Sequence, residues 1–301
     1  MDNILDTIGR TPLVEIKKLN PNPAVKIFAK LEGFNPGGSM KDRVARALIE
    51  DAEISGALKK GKTIIEATNG NTGIGIAMVA AIKGYKTIIV SPENANRERK
   101  RIIESFGAQV IEVKPELWRQ GALDLVEEMA VKDSSLVVLD KFSAKQNCAV
   151  HFNTTGKEIV KQISGQIDYF ISCIGTGGAI SGIARQLRQN WPQVRVIGIQ
   201  PKIWGADSSI ETGIFPPILN SNLPCGDHDK VMVDIIVEIG QADAFQMAER
   251  IIREEGIFAG ASSGAAMFTA AEYAKKMEKG TIVTVFPDRG EHYLSTEMFR
   301  N

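Results

Sequence analysis

The chain has 301 residues, a hydrophobic share of 44%, and Lys+Arg and Asp+Glu balanced at 36 each. That is enough apolar material for one large α/β domain or two modest ones. A net charge of zero excludes the basic field that would point to nucleic acid or an anionic membrane surface. The three cysteines, Cys148, Cys173 and Cys225, are far apart and form no Cys-x-x-Cys pair. Such usage argues for a reducing compartment and against a disulfide scaffold or zinc ribbon. The start, MDNILDTIGRTPLVEI, has no basic stretch leading into an apolar one. The longest apolar run, 74-IGIAMVAAI-82, is too short to span a bilayer. The expectation is a soluble, cytoplasmic protein.

In chain order, the first well-marked element is a helix opening within 34-FNPGGSMKDRVARALIEDA-52. Ser39 reads as its N-cap, and Asp42 three residues on completes a capping box. Lys41 then falls at the second helical position, where the helix dipole disfavours a cation by roughly 0.3–1 kcal/mol. That placement hints at a lysine used as a neutral amine. Next, 56-GALKKGKT-63 fits the Walker A pattern by letter. It follows a helix and precedes a strand, whereas a P-loop follows a strand and opens a helix. A nucleotide-binding protein built on this segment is the remote alternative.

Candidate strands are 63-TIIEA-67, 86-KTIIVS-91, 108-AQVIEV-113, 135-SLVVLD-140, 168-DYFISCI-174, 194-VRVIGIQ-200 and 281-TIVTVF-286. Several are apolar almost throughout, as strands covered on both faces must be. Helices between them are clearest at 97–106, stopped by Gly107, and at 241–256. This alternation means βαβ units with mostly parallel sheets. In such sheets ligands bind beyond the carboxyl ends of the strands, where loops lead into helices.

Two loops meet that condition. The turn 175-GTGGAISG-182 leaves backbone N–H groups unobstructed at a helix start, which makes a phosphate cradle. A tight packing turn would read the same. It is not G-x-G-x-x-G, because Ile180 fills the third glycine's place, so a dinucleotide site fits poorly. The loop 68-TNGNTG-73 suits a small carboxylate or a phenolic oxygen, or is an ordinary turn with Asx chemistry. Later, 260-GASSGAA-266 has the letters of a nucleophile elbow but no clear preceding strand. His151, His228 and His292 show no metal spacing and read as structural or surface residues. No metal site is expected.

In combination, these pieces resemble the cysteine synthase (O-acetylserine sulfhydrylase) family of fold-type II pyridoxal-phosphate enzymes. The most specific segments are 30-KLEGFNPGGSMKDR-43, 66-EATNGNTGI-74, 152-FNTTGKEI-159, 175-GTGG-178 and 254-EEGIFAGASSGAA-266. The resemblance runs from 4-ILDTIGRTPLVEI-16 to 287-PDRGEHYLST-296, nearly the whole chain. It implies an α/β fold of two three-layer domains, like tryptophan synthase β, with pyridoxal 5'-phosphate between them. The smaller, mobile domain would comprise 1–12 with 35–145, and the larger, phosphate-binding one 13–34 with 146–301.

The resemblance also implies roles. Lys41 would form the Schiff base, for which an unprotonated amine is required. Gly175, Thr176, Gly177 and Gly178 would hold the phosphate, Asn71 the ring hydroxyl and Ser262 the ring nitrogen. Thr68, Asn69, Gly70 and Thr72 would close on the substrate carboxylate, with Lys141 beside them. A neutral serine at the ring nitrogen makes a weaker electron sink than an aspartate would and favours loss of a β-substituent. The implied reaction is β-replacement, with L-cysteine made from O-acetyl-L-serine and sulfide, or another sulfur nucleophile, by way of an aminoacrylate. The same chemistry could consume L-cysteine, releasing hydrogen sulfide and giving serine, lanthionine or cystathionine. A homodimer is implied, and a serine acetyltransferase partner for some members.

Three positions depart from the family pattern. Asn69 stands for a usual Ser, Lys141 for a Gln and Ala179 for a Thr. The first two bear on substrate choice, and the third removes a hydroxyl from the phosphate cradle. Asp207, Ser208 and Ser209 are candidates for the pocket mouth. The ending 288-DRGEHYLST-296 leans toward the branch that takes bulkier sulfur nucleophiles such as thiosulfate.

Overall fold

A computed structural model describes residues 1–118, 120–139, 144–202, 222–224 and 230–299. Lys141, Asp207, Ser208, Ser209, Cys225 and His228 lie outside the described residues. The chain divides into two compact units, Met1–Ile8 with Asn35–Phe142 and His292–Asn301, and Gly9–Phe34 with Ser143–Glu291. Both are α/β, as expected.

The first unit contains helices α1 (Lys41–Ile54), α2 (Asn71–Lys83), α3 (Arg97–Ser105) and α4 (Gln120–Lys132). Its four strands run, across the sheet, Gln109–Val113, Lys86–Pro92, Thr63–Ala67 and Leu136–Val138. Every pairing is parallel. The central strand 63-TIIEA-67 shows why: Ile64 and Ile65 point to opposite faces and neither is exposed, so helices must cover both sides. Ile64 joins α1 and α2 in one cluster, whereas Ile65 joins Ala122 and Val126 of α4 in another.

The second unit contains α5 (Ala144–His151), α6 (Lys157–Gln162), α7 (Gly178–Asn190), α8 (Gln241–Arg250) and α9 (Ala261–Ala274). Its sheet runs Leu13–Ile16, Val25–Leu31, Gly280–Phe286, Tyr169–Cys173, Arg195–Pro201 and Ile235–Ile239. Only the first pair is antiparallel. A short antiparallel pair, Asn222–Pro224 with Lys230–Met232, stands apart.

The seven expected strands are present to within a few residues, while 13–16, 25–31 and 235–239 were not read. The strand 25-VKIFAKL-31 was obscured by its lysines. Lys30 is fully buried and donates to the Thr11 carbonyl at 2.6 Å, Glu158 at 2.7 Å and Gln162 at 2.8 Å. The expected helix 241–256 is α8 followed by a π turn over Ile251–Glu255. Among the described residues, no helix is long and apolar enough to cross a membrane.

Candidate active site

Lys41 is the first residue of α1, not the second. Met40 takes the cap position in helical conformation and gives no side-chain cap, which corrects the Ser39 reading. Ser39 still contributes, because its Oγ accepts the Lys41 N–H at 3.1 Å. The expected box does not close on Ser39. Asp42 reaches back instead to accept the Gly37 N–H at 2.6 Å. Both bonds draw the loop 37–39 tight against the helix start, so the backbone that carries Lys41 is fixed from both sides.

The strand Thr63–Ala67 delivers the 68–72 segment to the start of α2. Thr68 N–H donates to the Val90 carbonyl at 2.9 Å, and Gly70 N–H to Thr68 Oγ1 at 3.3 Å. No side chain caps α2; Gly70 is its extended N-cap and Asn71 its first residue. A helix start without a side-chain cap is a site that suits an anion. Helices α1 and α2 meet at Gly75, where a Cβ would lie 3.0 Å from Ala45 Cβ and 3.1 Å from the Lys41 carbonyl oxygen. Within this unit, then, the start of α1 that carries Lys41 packs on α2 one turn after the helix start that follows the 68–70 loop. Asn71 is buried, and its Oδ1 lies 2.9 Å from His292 Nδ1.

In the second unit, strand Tyr169–Cys173 leads into the 175–178 turn and α7. Gly177, at φ 85°, is the N-cap in a left-handed conformation that glycine takes without strain. A Cβ on Gly178 would fall 2.5 Å from Asn147, whereas one on Gly175 would meet nothing within 4 Å. Asn147 Nδ2 donates to Thr176 Oγ1 at 2.9 Å. A hydroxyl that already accepts has its own proton left to give. An open, side-chain-free turn at a helix start with such a hydroxyl fits a phosphate ester.

Ser262 lies in the first turn of α9, after the extended N-cap Gly260, so 260–264 is a helix start and not an elbow. The Cys173 thiol donates to the Ser262 carbonyl at 3.3 Å, tying α9's start to the strand that ends two residues before Gly175. Burial first, and the Asp288 carboxylate second, push the Cys173 thiol up to about 12, which keeps it a donor at neutral pH. Ala179 occupies the first turn of α7 without a hydroxyl. The segment 56–63 leads into strand Thr63–Ala67, not into a helix, so it lacks P-loop context. Among the described residues, no group of three or more His, Cys, Asp or Glu could hold a metal ion.

Asn147 has no place among the sequence-predicted residues. His292, expected to be structural or at the surface, is buried and touches Asn71; single-sequence spacing offers no signal for either contact.

Residues 4–288 match the pyridoxal-phosphate dependent enzyme family, and the chain belongs to that family. The cysteine synthase of Staphylococcus aureus is 37% identical over 99% of this chain and 97% of its own length. Crystallographic O-ureido-L-serine synthase superposes with a TM-score of 0.88 at 35% identity, covering 99% and 95% of the two chains. A hydrogen sulfide-producing enzyme from Fusobacterium nucleatum gives 0.86 at 35% identity, covering 98% and 100%. Within the family, this chain is a pyridoxal-phosphate-dependent enzyme of the cysteine synthase type.

Proposed function

We propose that the protein makes L-cysteine by β-replacement, exchanging the acetoxy group of O-acetyl-L-serine for sulfide. The observation that carries this reading is the presence of two helix starts, each at the carboxyl end of a parallel strand. One opens with Asn71 on a helix whose Gly75 packs against the Lys41 backbone, and the other has the 175–178 cradle. Bound pyridoxal phosphate supplies the electron sink for the amino acid's α-carbon.

The chain's own groups do the rest. Lys41 anchors the cofactor, then takes the α-proton and later returns it as general base and acid. Backbone N–H groups of Gly175, Gly177 and Gly178, with the Thr176 hydroxyl, hold the phosphate. The Asn71 amide donates to the ring oxygen, and Ser262 offers the ring nitrogen a neutral hydroxyl. Thr68, Asn69, Gly70 and Thr72 bind the substrate carboxylate at the start of α2, with Lys141 as a further cationic contact. The two-domain division expected from the sequence, 1–12 with 35–145 and 13–34 with 146–301, enters as part of this proposal, except that 292–301 goes with the first part. The first part carries the lysine and the substrate loop, and the second the phosphate loop. We also infer a cytoplasmic homodimer, open to a serine acetyltransferase partner.

Asn69 favours a second reading, in which cysteine is consumed and hydrogen sulfide released. One experiment separates the two. The visible spectrum of the yellow holoenzyme is recorded with O-acetylserine, then sulfide, and separately with cysteine. A band that shifts with O-acetylserine and returns with sulfide supports synthesis. A band that shifts only with cysteine, with sulfide released, supports the second reading. A Lys41→Ala protein with full turnover would sink both.

A further inference from the structure

His292 and Asn71 are 221 positions apart in sequence, yet their side chains are joined at 2.9 Å in a buried contact. An amide has an acceptor end and a donor end of nearly equal shape. Packing alone therefore does not decide which end faces the ligand. A carboxamide oxygen only accepts, so the His292 Nδ1 that approaches it carries the proton. That contact fixes the amide: Oδ1 is held by the imidazole, and Nδ2 is the end that donates.

The segment that carries the imidazole is itself held. The neighbouring Tyr293 ring lies under the Arg99 guanidinium at 4.8 Å, and Ser295 Oγ donates to Glu98 Oε2 at 2.6 Å. Both partners belong to α3, so the 292–295 segment is pinned to a helix of the same unit. Asn71 is held from its other side as the first residue of α2.

We propose that His292 is a positioning residue that orients the Asn71 amide, so that its NH2 group is presented to the ring oxygen of the cofactor. This rests on the cofactor role proposed for Asn71. With the His292 donor removed, the amide can turn its oxygen toward an anionic ring oxygen. The bound cofactor then shifts toward its neutral, phenolic form, which absorbs in the near ultraviolet instead of the visible.

The test compares wild-type, His292→Leu and His292→Asn proteins loaded with pyridoxal phosphate. In the asparagine variant, Nδ2 occupies the place of the imidazole Nδ1 and keeps a donor there. Band ratio, cofactor affinity and thermal midpoint are measured for each, and 15N shifts report the His292 tautomer in the wild type. The expected result is a visible band moved partly to the near ultraviolet in His292→Leu, with about tenfold weaker cofactor binding. The wild-type band shape should return in His292→Asn. A merely structural role would lower the midpoint and leave the band ratio unchanged, and that result overturns the proposal. So does a wild-type His292 protonated only at Nε2, a reading that does not require any variant to fold. A wild-type protein that takes up no cofactor overturns the role of Asn71, and this inference with it. Uptake with an unchanged band ratio in His292→Leu overturns this inference alone.

Discussion

Gly75→Ala tests whether the crossing of α1 and α2 sets the position of Lys41. The added Cβ would lie 3.0 Å from Ala45 Cβ, 3.1 Å from the Lys41 carbonyl oxygen and 3.3 Å from Asp42 Cα. Carbon atoms prefer a separation of about 3.5–4.0 Å, so the start of α1 must retreat by a few tenths of an ångström. Overpacking of this kind costs about 1–3 kcal/mol. Replacing a helical glycine by alanine returns about 0.5–1 kcal/mol. The net loss of stability is then about 0–2.5 kcal/mol, a shift of at most several degrees in Tm for a chain of this size.

Catalysis responds differently, because a displacement near 1 Å can cost about 100-fold in rate. Gly75→Ala moves the lysine by less than that, so it should keep most of its stability while kcat for cysteine formation falls by roughly 3- to 10-fold. Steady-state kinetics with calorimetry on the same preparation checks this. The Ala45→Gly, Gly75→Ala double variant removes the closest clash and should recover part of the loss. A Gly75→Ala enzyme with wild-type kcat would refute the argument. So would a rate loss explained entirely by unfolded protein.

Thr176→Val should weaken cofactor binding by one hydrogen bond, about 0.5–1.5 kcal/mol, read by equilibrium dialysis; Asn147→Leu should act in the same direction. Glu158→Ala takes away the carboxylate that faces the fully buried Lys30 at 2.7 Å. It should destabilise by about 3 kcal/mol, the low end of the range for breaking a buried pair, in a urea melt. Cys173 should resist alkylation in the native protein at pH 8 and react once the chain unfolds, because its thiol titrates at about 12. The raised value also fixes a sign: the unfolded chain loses this proton first. Its stabilising contribution is therefore whole below the ordinary thiol range and disappears as pH rises toward 12.

Much of the site was legible because it is built on strand ends, where apolar runs of β-branched residues stop at Gly, Thr and Asn. That is how 63-TIIEA-67 exposed the 68–72 loop, and 168-DYFISCI-174 the 175–178 turn. What stayed hidden depends on tertiary pairing. Lys30 makes its strand look solvated until Glu158 and Gln162, from another helix, are seen to neutralise and bind it. Capping logic found the start of α1 but assigned Asp42 to Ser39, because a one-dimensional box cannot foresee that the loop brings Gly37 N–H closer. The contacts of Asn147 and His292 were hidden for a common reason. Each side chain meets a motif residue distant in sequence, and such a pairing leaves no periodic trace.

Ala179 gives the last test, because it is a departure whose chemistry can be restored. In the first turn of α7 it adds nothing polar to a cradle otherwise made of backbone N–H groups and the Thr176 hydroxyl. If that cradle holds a phosphate, Ala179→Thr should tighten cofactor binding by one hydrogen bond, about 0.5–1.5 kcal/mol. Threonine is the poorer helix former by up to about 0.7 kcal/mol, so the fold itself should become slightly less stable. Tighter cofactor in a marginally weaker fold is a combination that improved packing cannot produce, since packing would move both quantities together. The same substitution in a Thr176→Val background should recover most of the lost affinity, because one hydroxyl replaces another on the same anion. Isothermal titration of the cofactor into the four proteins measures this directly. No gain from threonine in either background would mean that the α7 start does not contact the phosphate, and the cradle would have to be sought elsewhere in the chain.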